Sequence, residues 1–384
     1  MNSRERILTA LDGGEPDRVP IVPHVGWYAS VVLGISLDDF IRESMIGPQI
    51  PGTGYIPTWR YELESYSKLG ADVITWVRSY ALAAKETTRE SFEVRNDPKG
   101  ILVHKTYETP KGPLTEEILS SRQLGVDNRK YLITNPEEDL EKVEYVLGDA
   151  SRLDFEEYER ARYQVGDKGI VAAHCNSPMV FWLTMRGLQE GLLDFFRRPA
   201  TVEKYLKMFG NWLVDFARAC GEYQVDLLWV RGTYDGYTII RPEQWERYLK
   251  EPLTKAFKEA GGVKTTYFLE GKCARLLDLV KETGVNCLQP IESPPQGDCD
   301  LAEVKARIGS DICLMGNISP FELELSSTGS VEKIVIDKIR AAALDGGYIL
   351  STTDMITQGT PIQNVVALVG AAKEYGRYPI GLPS

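Results

Sequence analysis

Cysteine is scarce and scattered: the chain of 384 residues carries six, at Cys175, Cys220, Cys273, Cys287, Cys299 and Cys313, and no two form a CxxC pair. That spacing argues against a zinc ribbon and against a disulfide framework. No apolar run reaches the roughly 18 residues that a membrane-spanning helix needs. Basic clusters are missing too. Lys and Arg total 44 against 55 Asp and Glu, a formal charge of −11, and the two signs are interleaved. Such a chain repels a phosphate backbone, so nucleic acid is not an expected partner. The opening MNSRERILTALDGGEPDRVP has neither an apolar core nor a small-residue cleavage site, and does not read as a secretory signal. A cytoplasmic protein with free thiols is expected. GxGxxG, GxxxxGK(S/T) and GxSxG are all absent, which counts against nucleotide-driven and serine-hydrolase mechanisms.

What is present is the composition of an ordinary soluble globular protein, 43% apolar and 26% charged. Short apolar runs lie at 19–24, 71–76, 170–174, 226–230, 265–269, 285–290, 312–316 and 347–351. Polar alternation is missing from each, so each reads as a strand buried on both faces, the mark of a parallel sheet. Amphipathic segments separate them. Residues 242–260 begin with proline and acidic residues and end before Gly261-Gly262, as a capped helix does; 273–283, 331–344 and 361–375 also have helical spacing. Eight buried strands alternating with helices give the count of a (β/α)8 TIM barrel, one domain over 1–384, with a doubly wound sheet as the structural alternative. Residues 91–119 break the rhythm with turn signals at Asp97-Pro98-Lys99-Gly100 and Pro110-Lys111-Gly112-Pro113, which suggests inserted antiparallel hairpins. The charged stretch 136–166 reads as a surface helical connection.

In a barrel, chemistry belongs at the C-terminal ends of the strands. In order, those ends hold His24, Trp27 and Tyr28; Trp76 and Arg78; His174, Cys175 and Asn176; Arg231, Tyr234 and Asp235; Glu270; Gln289 and Glu292; Asn317; and Asp354. Glu270 and Asp354 are the first candidates, since a carboxylate there needs a cation, a metal or a proton; the bland reading is a salt bridge to Arg231 or Arg78. His24 and His174 are candidates for protonation or orientation, against the bland reading of a hydrogen-bonded structural histidine. Trp27, Tyr28, Trp76, Trp229 and Tyr234 line a pocket or are ordinary core aromatics. Arg231, Arg78, Asp235 and Asn317 complete the expected binding set. Cys175 next to His174 is not a nucleophile–base pair, because adjacent strand residues point to opposite faces.

At this point the chain resembles the uroporphyrinogen decarboxylase superfamily, and its methyltransferase branch more than the decarboxylases. The resemblance lies in Ser3-Arg4-Glu5-Arg6 through Pro16-Asp17-Arg18-Val19-Pro20, in residues 226–229 with Asp235, in Ile240-Arg241-Pro242-Glu243-Gln244-Trp245, and in the closing Gly346-Gly347-Tyr348-Ile349-Leu350-Ser351 with Thr360-Pro361-Ile362-Gln363-Asn364-Val365. It implies a single barrel. The decarboxylases hold their substrate's carboxylates with an arginine-rich segment after the first strand; here that stretch is His24-Val25-Gly26-Trp27-Tyr28-Ala29-Ser30, and the glycine–histidine loop near the C-terminus is replaced by Ser351-Thr352-Thr353-Asp354. Porphyrinogen decarboxylation is therefore not expected. The branch's thiol-accepting methyltransferases bind zinc through His-x-Cys and a later Cys. The matching places here are Phe268-Leu269-Glu270 and Asp354, so that site is not intact. A zinc site from Glu270 and Asp354 with His24 or His174 stays open, since zinc accepts carboxylate and imidazole.

The resemblance thus implies a corrinoid-dependent methyltransferase, of O- or N-demethylase type, that takes a methyl group from a small methylated donor such as a methoxylated aromatic. The cobalamin arrives on a partner corrinoid protein, and a homodimer stays open. Two other classes are kept: a decarboxylase or lyase acting on a small carboxylic acid through Arg231 or Arg78, and a non-catalytic barrel that binds a small molecule.

Overall fold

The structure is a computed structural model that describes residues 1–46, 59–78, 83–84, 89–121 and 125–381. Seven parallel strands are hydrogen-bonded in chain order: β1 (Val73–Arg78), β2 (Gly169–Asn176), β3 (Leu227–Gly232), β4 (Lys264–Leu269), β5 (Cys287–Pro290), β6 (Cys313–Ile318) and β7 (Tyr348–Thr352). β2 and β7 are buried at every position, which is why their sequences show no polar alternation. Helices connect successive strands across the outside, and the sheet curls as in a TIM-like barrel.

The expected first strand, 19–24, is not a strand in the structure. It makes a single parallel bridge, Ile21 to Leu350 of β7. Its other ladder bonds are Val22 N–H to Leu350 O and Leu350 N–H to Pro20 O, both 2.9 Å, and on its other side Asp72 N–H donates to Ile21 O at 2.8 Å. The segment thus lies between β7 and the start of β1. Pro20 and Pro23 supply no N–H, so the ladder cannot extend.

What holds this segment is the Asp72 carboxylate, which has no solvent exposure. It accepts from Ser3 Oγ at 2.5 Å, Arg6 Nη1 at 2.7 Å, Arg18 Nη1 at 2.8 Å and the backbone N–H of Ile21 at 2.8 Å. The N-terminal helix Ser3–Leu11 is started by a capping box between Asn2 and Glu5, and its Arg4 reaches Asp226 at 2.6 Å, just before β3. The Arg-rich opening is therefore the staple at the bottom of the sheet, far along each strand from the mouth.

Between β1 and β2 the chain forms an antiparallel sheet of four strands, Arg89–Asp97, Gly100–Thr109, Gly112–Ser121 and Gly125–Lys130. Its inner face carries Ile101 and Val103 against Ile41, with Trp27 and Leu37 packed alongside, so it stands beside the C-terminal ends of the barrel strands. The stretch 136–166 holds helices Pro136–Leu147 and Glu156–Val165 with the short strand Asp149–Leu153 between them. In the segment 242–260 the helix runs on through a π turn at Glu246–Lys250, because Pro252 has no N–H to offer a regular turn. No helix among the described residues is long and apolar enough to cross a membrane.

Asp72→Ala takes the buried carboxylate from Arg6 and Arg18, leaving Arg6 with the Asp17 carboxylate alone. Unfolding in urea is expected to show a loss of roughly 3–5 kcal/mol, the usual cost of breaking a buried charge network. Asp17→Ala, which removes the 40%-exposed second partner of Arg6, is expected to cost much less.

Candidate active site

The floor of the site is aromatic. Trp76 on β1 and Trp229 on β3 stack with centroids 5.4 Å apart and planes 2° from parallel. His174, opposite Trp229 in the strand register, stacks on it at 4.9 Å; Phe268 also packs on Trp229, tilted, at 5.0 Å. His24 meets Trp76 edge-on at 4.9 Å. These positions converge because alternate residues of each strand point into the curl. The Trp229 indole N–H donates to Gln289 Oε1 at 3.2 Å. Beneath the floor, Val22, Ile74, Leu227, Thr266 and Met315 leave a cavity of only about 10 Å³, room for about one water. That volume is too small for a methylated substrate.

Charged and polar groups lie at the strand ends beside these aromatics. Glu270, one residue beyond β4, is half-buried; burial raises its pKa well above the usual glutamate value, the nearby Asp354 raises it further, and Arg231 and a hydrogen bond from Thr233 pull the other way. Glu292 accepts the Gly271 N–H at 2.6 Å, and burial raises its pKa also. Arg231 donates through Nε to Thr233 Oγ1 at 2.8 Å. His24 is buried, and neither ring nitrogen has a hydrogen-bond partner among the described residues; Asp354 Oδ1 stands 3.8 Å from Nδ1. Burial lowers the His24 pKa to about 4, which Asp354 only partly offsets. At neutral pH this imidazole is neutral, so it orients or accepts a hydrogen bond and does not supply a proton. Asn317 donates to Ile291 O at 2.8 Å and Ser293 Oγ at 3.1 Å, while its Oδ1 has no partner among the described residues.

The structure thus brings together His24, Trp76, His174, Trp229, Arg231, Glu270 and Asp354. The other expected residues have different surroundings. Asp235 is fully buried, and both oxygens are committed, to Ser177 Oγ at 2.9 Å and Tyr267 Oη at 2.6 Å; Trp245 extends this network by donating to Tyr267 Oη at 3.2 Å. Tyr28 is buried with its hydroxyl on Thr360 O at 2.8 Å. Trp27 and Tyr234 are half-buried against the core. The side chain of Arg78 lies outside the described residues.

A zinc site does not fit. Among the described residues no three His, Cys, Asp or Glu side chains group as a metal requires. Asp354 Oδ1 accepts the neighbouring Met355 N–H at 2.6 Å, and Glu270 takes a hydrogen bond from Thr233. Sequence reasoning did not single out Thr233 or Asn176 as site residues. The strand period was the available signal: Asn176 shares the face of His174, and Thr233 lies two residues past Arg231.

Burial raises the Asp235 pKa to about 7. The folded state therefore holds this proton more tightly than the unfolded chain does, and the stability it contributes is lost as pH rises from about 4 towards 7. Asp235→Asn is expected to flatten this part of the stability–pH curve, measured by urea unfolding at several pH values. An unchanged slope would show that Asp235 is not its source.

Residues 129–375 match the family model described as Uroporphyrinogen decarboxylase (URO-D). The methylated-thiol–coenzyme M methyltransferase of Methanosarcina mazei is 22% identical over 176 residues, 46% of this chain and 45% of that protein, so the match spans less than half of that relative. The uroporphyrinogen decarboxylase of Crocosphaera subtropica is 23% identical over 278 residues, 69% of this chain and 71% of that one. Among solved structures, a methyltransferase from Methanosarcina mazei superposes with a TM-score of 0.65 at 16% identity, covering 98% of this chain and 99% of the other. At that identity the likeness establishes a shared fold over nearly the whole chain.

Proposed function

The chain belongs to the uroporphyrinogen decarboxylase family, and within it we propose a methyltransferase that moves a methyl group from a small methylated donor, such as a methoxylated aromatic, to a corrinoid carried on a partner protein. The observation that carries this reading is the half-buried Glu270 carboxyl, its pKa raised by burial, near Asp354 and Arg231 at the strand ends beside the aromatic cluster. The likeness to a methylated-thiol methyltransferase supports it.

A methyl ether is a poor electrophile because an alkoxide or phenolate is a poor leaving group. As the reduced cobalt of the corrinoid co-substrate donates its electron pair to the methyl carbon, the carbon–oxygen bond breaks and its electrons go to oxygen. A proton must reach that oxygen. In this reading Glu270 gives it: its raised pKa keeps the acid form into the range where a free glutamate is ionised. Asp354 keeps that pKa high by like-charge repulsion. Neutral His24, with His174 beside it, orients the donor at the floor, and Trp76 and Trp229 form an apolar seat for it. Arg231 faces a carboxylate or phenolate of the donor. The whole chain acts as one barrel, and no step runs through zinc.

A second reading rests on the match to a decarboxylase over 69% of the chain. Arg231 then holds a small carboxylic acid that loses carbon dioxide.

The deciding experiment mixes the protein with reduced cobalamin and a panel of methoxylated aromatics and methylated amines, and follows cobalt(I) to methylcobalt(III) by absorbance. Turnover is expected to fall on the alkaline side, where Glu270 loses its proton. Glu270→Gln is expected to slow transfer by about tenfold or more and to remove that alkaline limb. Asp354→Asn is expected to move the limb to lower pH, since the repulsion that raises the Glu270 pKa is gone. If no donor methylates the corrinoid even with its partner protein supplied, while an acid releases carbon dioxide, the second reading replaces this one. Ligand binding with neither reaction leaves a binding barrel.

A further inference from the structure

Asn176 ends β2 and is fully buried, yet neither its Oδ1 nor its Nδ2 has a hydrogen-bond partner among the described residues. Its direction follows from its neighbours. His174 points inward, stacked on Trp229. Cys175 points outward, towards Cys220 of the helix Pro199–Tyr223. Asn176 returns to the inner face, one layer above the aromatic floor and opposite Arg231 in the strand register. The polar groups beside it are engaged elsewhere. Ser177 Oγ donates to Asp235 and accepts from Val180 N–H, and Arg231 Nε donates to Thr233. A buried amide with both ends unpaired is costly to a folded protein and is retained where a ligand completes it.

We infer that Asn176 is a substrate-binding residue of this mouth, holding an uncharged substrate group that both donates and accepts a hydrogen bond, in the simplest case a hydroxyl beside the methylated atom. The chemistry of the amide selects that class. A carboxylate satisfies Nδ2 but leaves Oδ1 facing another acceptor; an ammonium satisfies Oδ1 but leaves Nδ2 unmet; a hydroxyl serves both. Across the mouth, Asn317 Oδ1 is a further acceptor without a partner among the described residues. The choice of a methylated donor as the bearer of that hydroxyl rests on the function proposed above.

The test is calorimetric binding of 2-methoxyphenol and of 1,2-dimethoxybenzene, which lacks the hydroxyl, to the full chain. The wild type is expected to bind the phenol about tenfold or more tightly, the preference of a site built to meet a hydroxyl. Asn176→Leu, of similar size, is expected to bring the two affinities together. Its melting temperature without ligand is expected to stay level or rise, since it removes a buried amide with nothing to pair; a merely structural asparagine would lower it. Asn176→Ala removes both the donor and the acceptor and is expected to narrow the preference as well, so the inference does not hang on one variant. Equal or absent binding of the two compounds by the wild type, or an unchanged preference in both variants, overturns it. Binding needs no methyl transfer, so discrimination without cobalt methylation supports Asn176 while counting against the proposed reaction.

Discussion

The buried Asp72 carboxylate is the constraint on which the barrel depends. It draws in Ser3, Arg6 and Arg18 and caps the backbone at Ile21, so it ties the N-terminal helix, the segment 19–24 and the start of β1 to one point. Among the described residues that segment lies between β7 and β1, and it has one bridge of its own. Two prolines keep it from pairing as a full strand, so side-chain charge takes over work that a backbone ladder does elsewhere in the sheet. Without this closure His24 would not be held over Trp76, and the strand ends would not face a shared space.

Closure also sets the electrostatics of the mouth. Burial acts on acids and bases in opposite senses: His24 is pushed towards the neutral base and Glu270 towards the neutral acid. Asp354 strengthens the second effect and weakens the first, because a negative charge favours any bound proton. The result is a cluster in which Glu270 holds its proton more tightly than a free glutamate does, with Arg231 pulling the other way.

Two kinds of buried polar residue lie close together here, and the contrast separates scaffold from site. Asp235 has both oxygens occupied by hydroxyls that come from the start of one helix and from β4, so it knits β3 to its neighbours. Asn176 and Asn317, at the ends of β2 and β6, keep amide atoms without partners among the described residues. A fold gains nothing from the second arrangement, whereas a binding site does.

Much of the architecture was legible in the order of residues. Runs without polar alternation marked β1 to β7, because a strand covered on both faces has no reason to alternate. The N-terminal and C-terminal stretches that resemble the family placed the chain in it. Reading off strand ends picked out Glu270, Asp354, His24, His174 and Arg231, which the fold brings near one another because parallel strands in a curled sheet all end on the same side. The same reading placed Asp235 in the binding set, where the structure shows a structural hub, and it left Asn176 among the unremarked strand-end residues. It also expected a strand at 19–24, where the prolines leave a single bridge. Which side chain points inward, which oxygen already has a partner, and how far a pKa moves are properties of an enclosed volume. They depend on what packs around each group in three dimensions, and residues such as Ser177 and Asp235, or Glu270 and Asp354, meet only once the chain has folded.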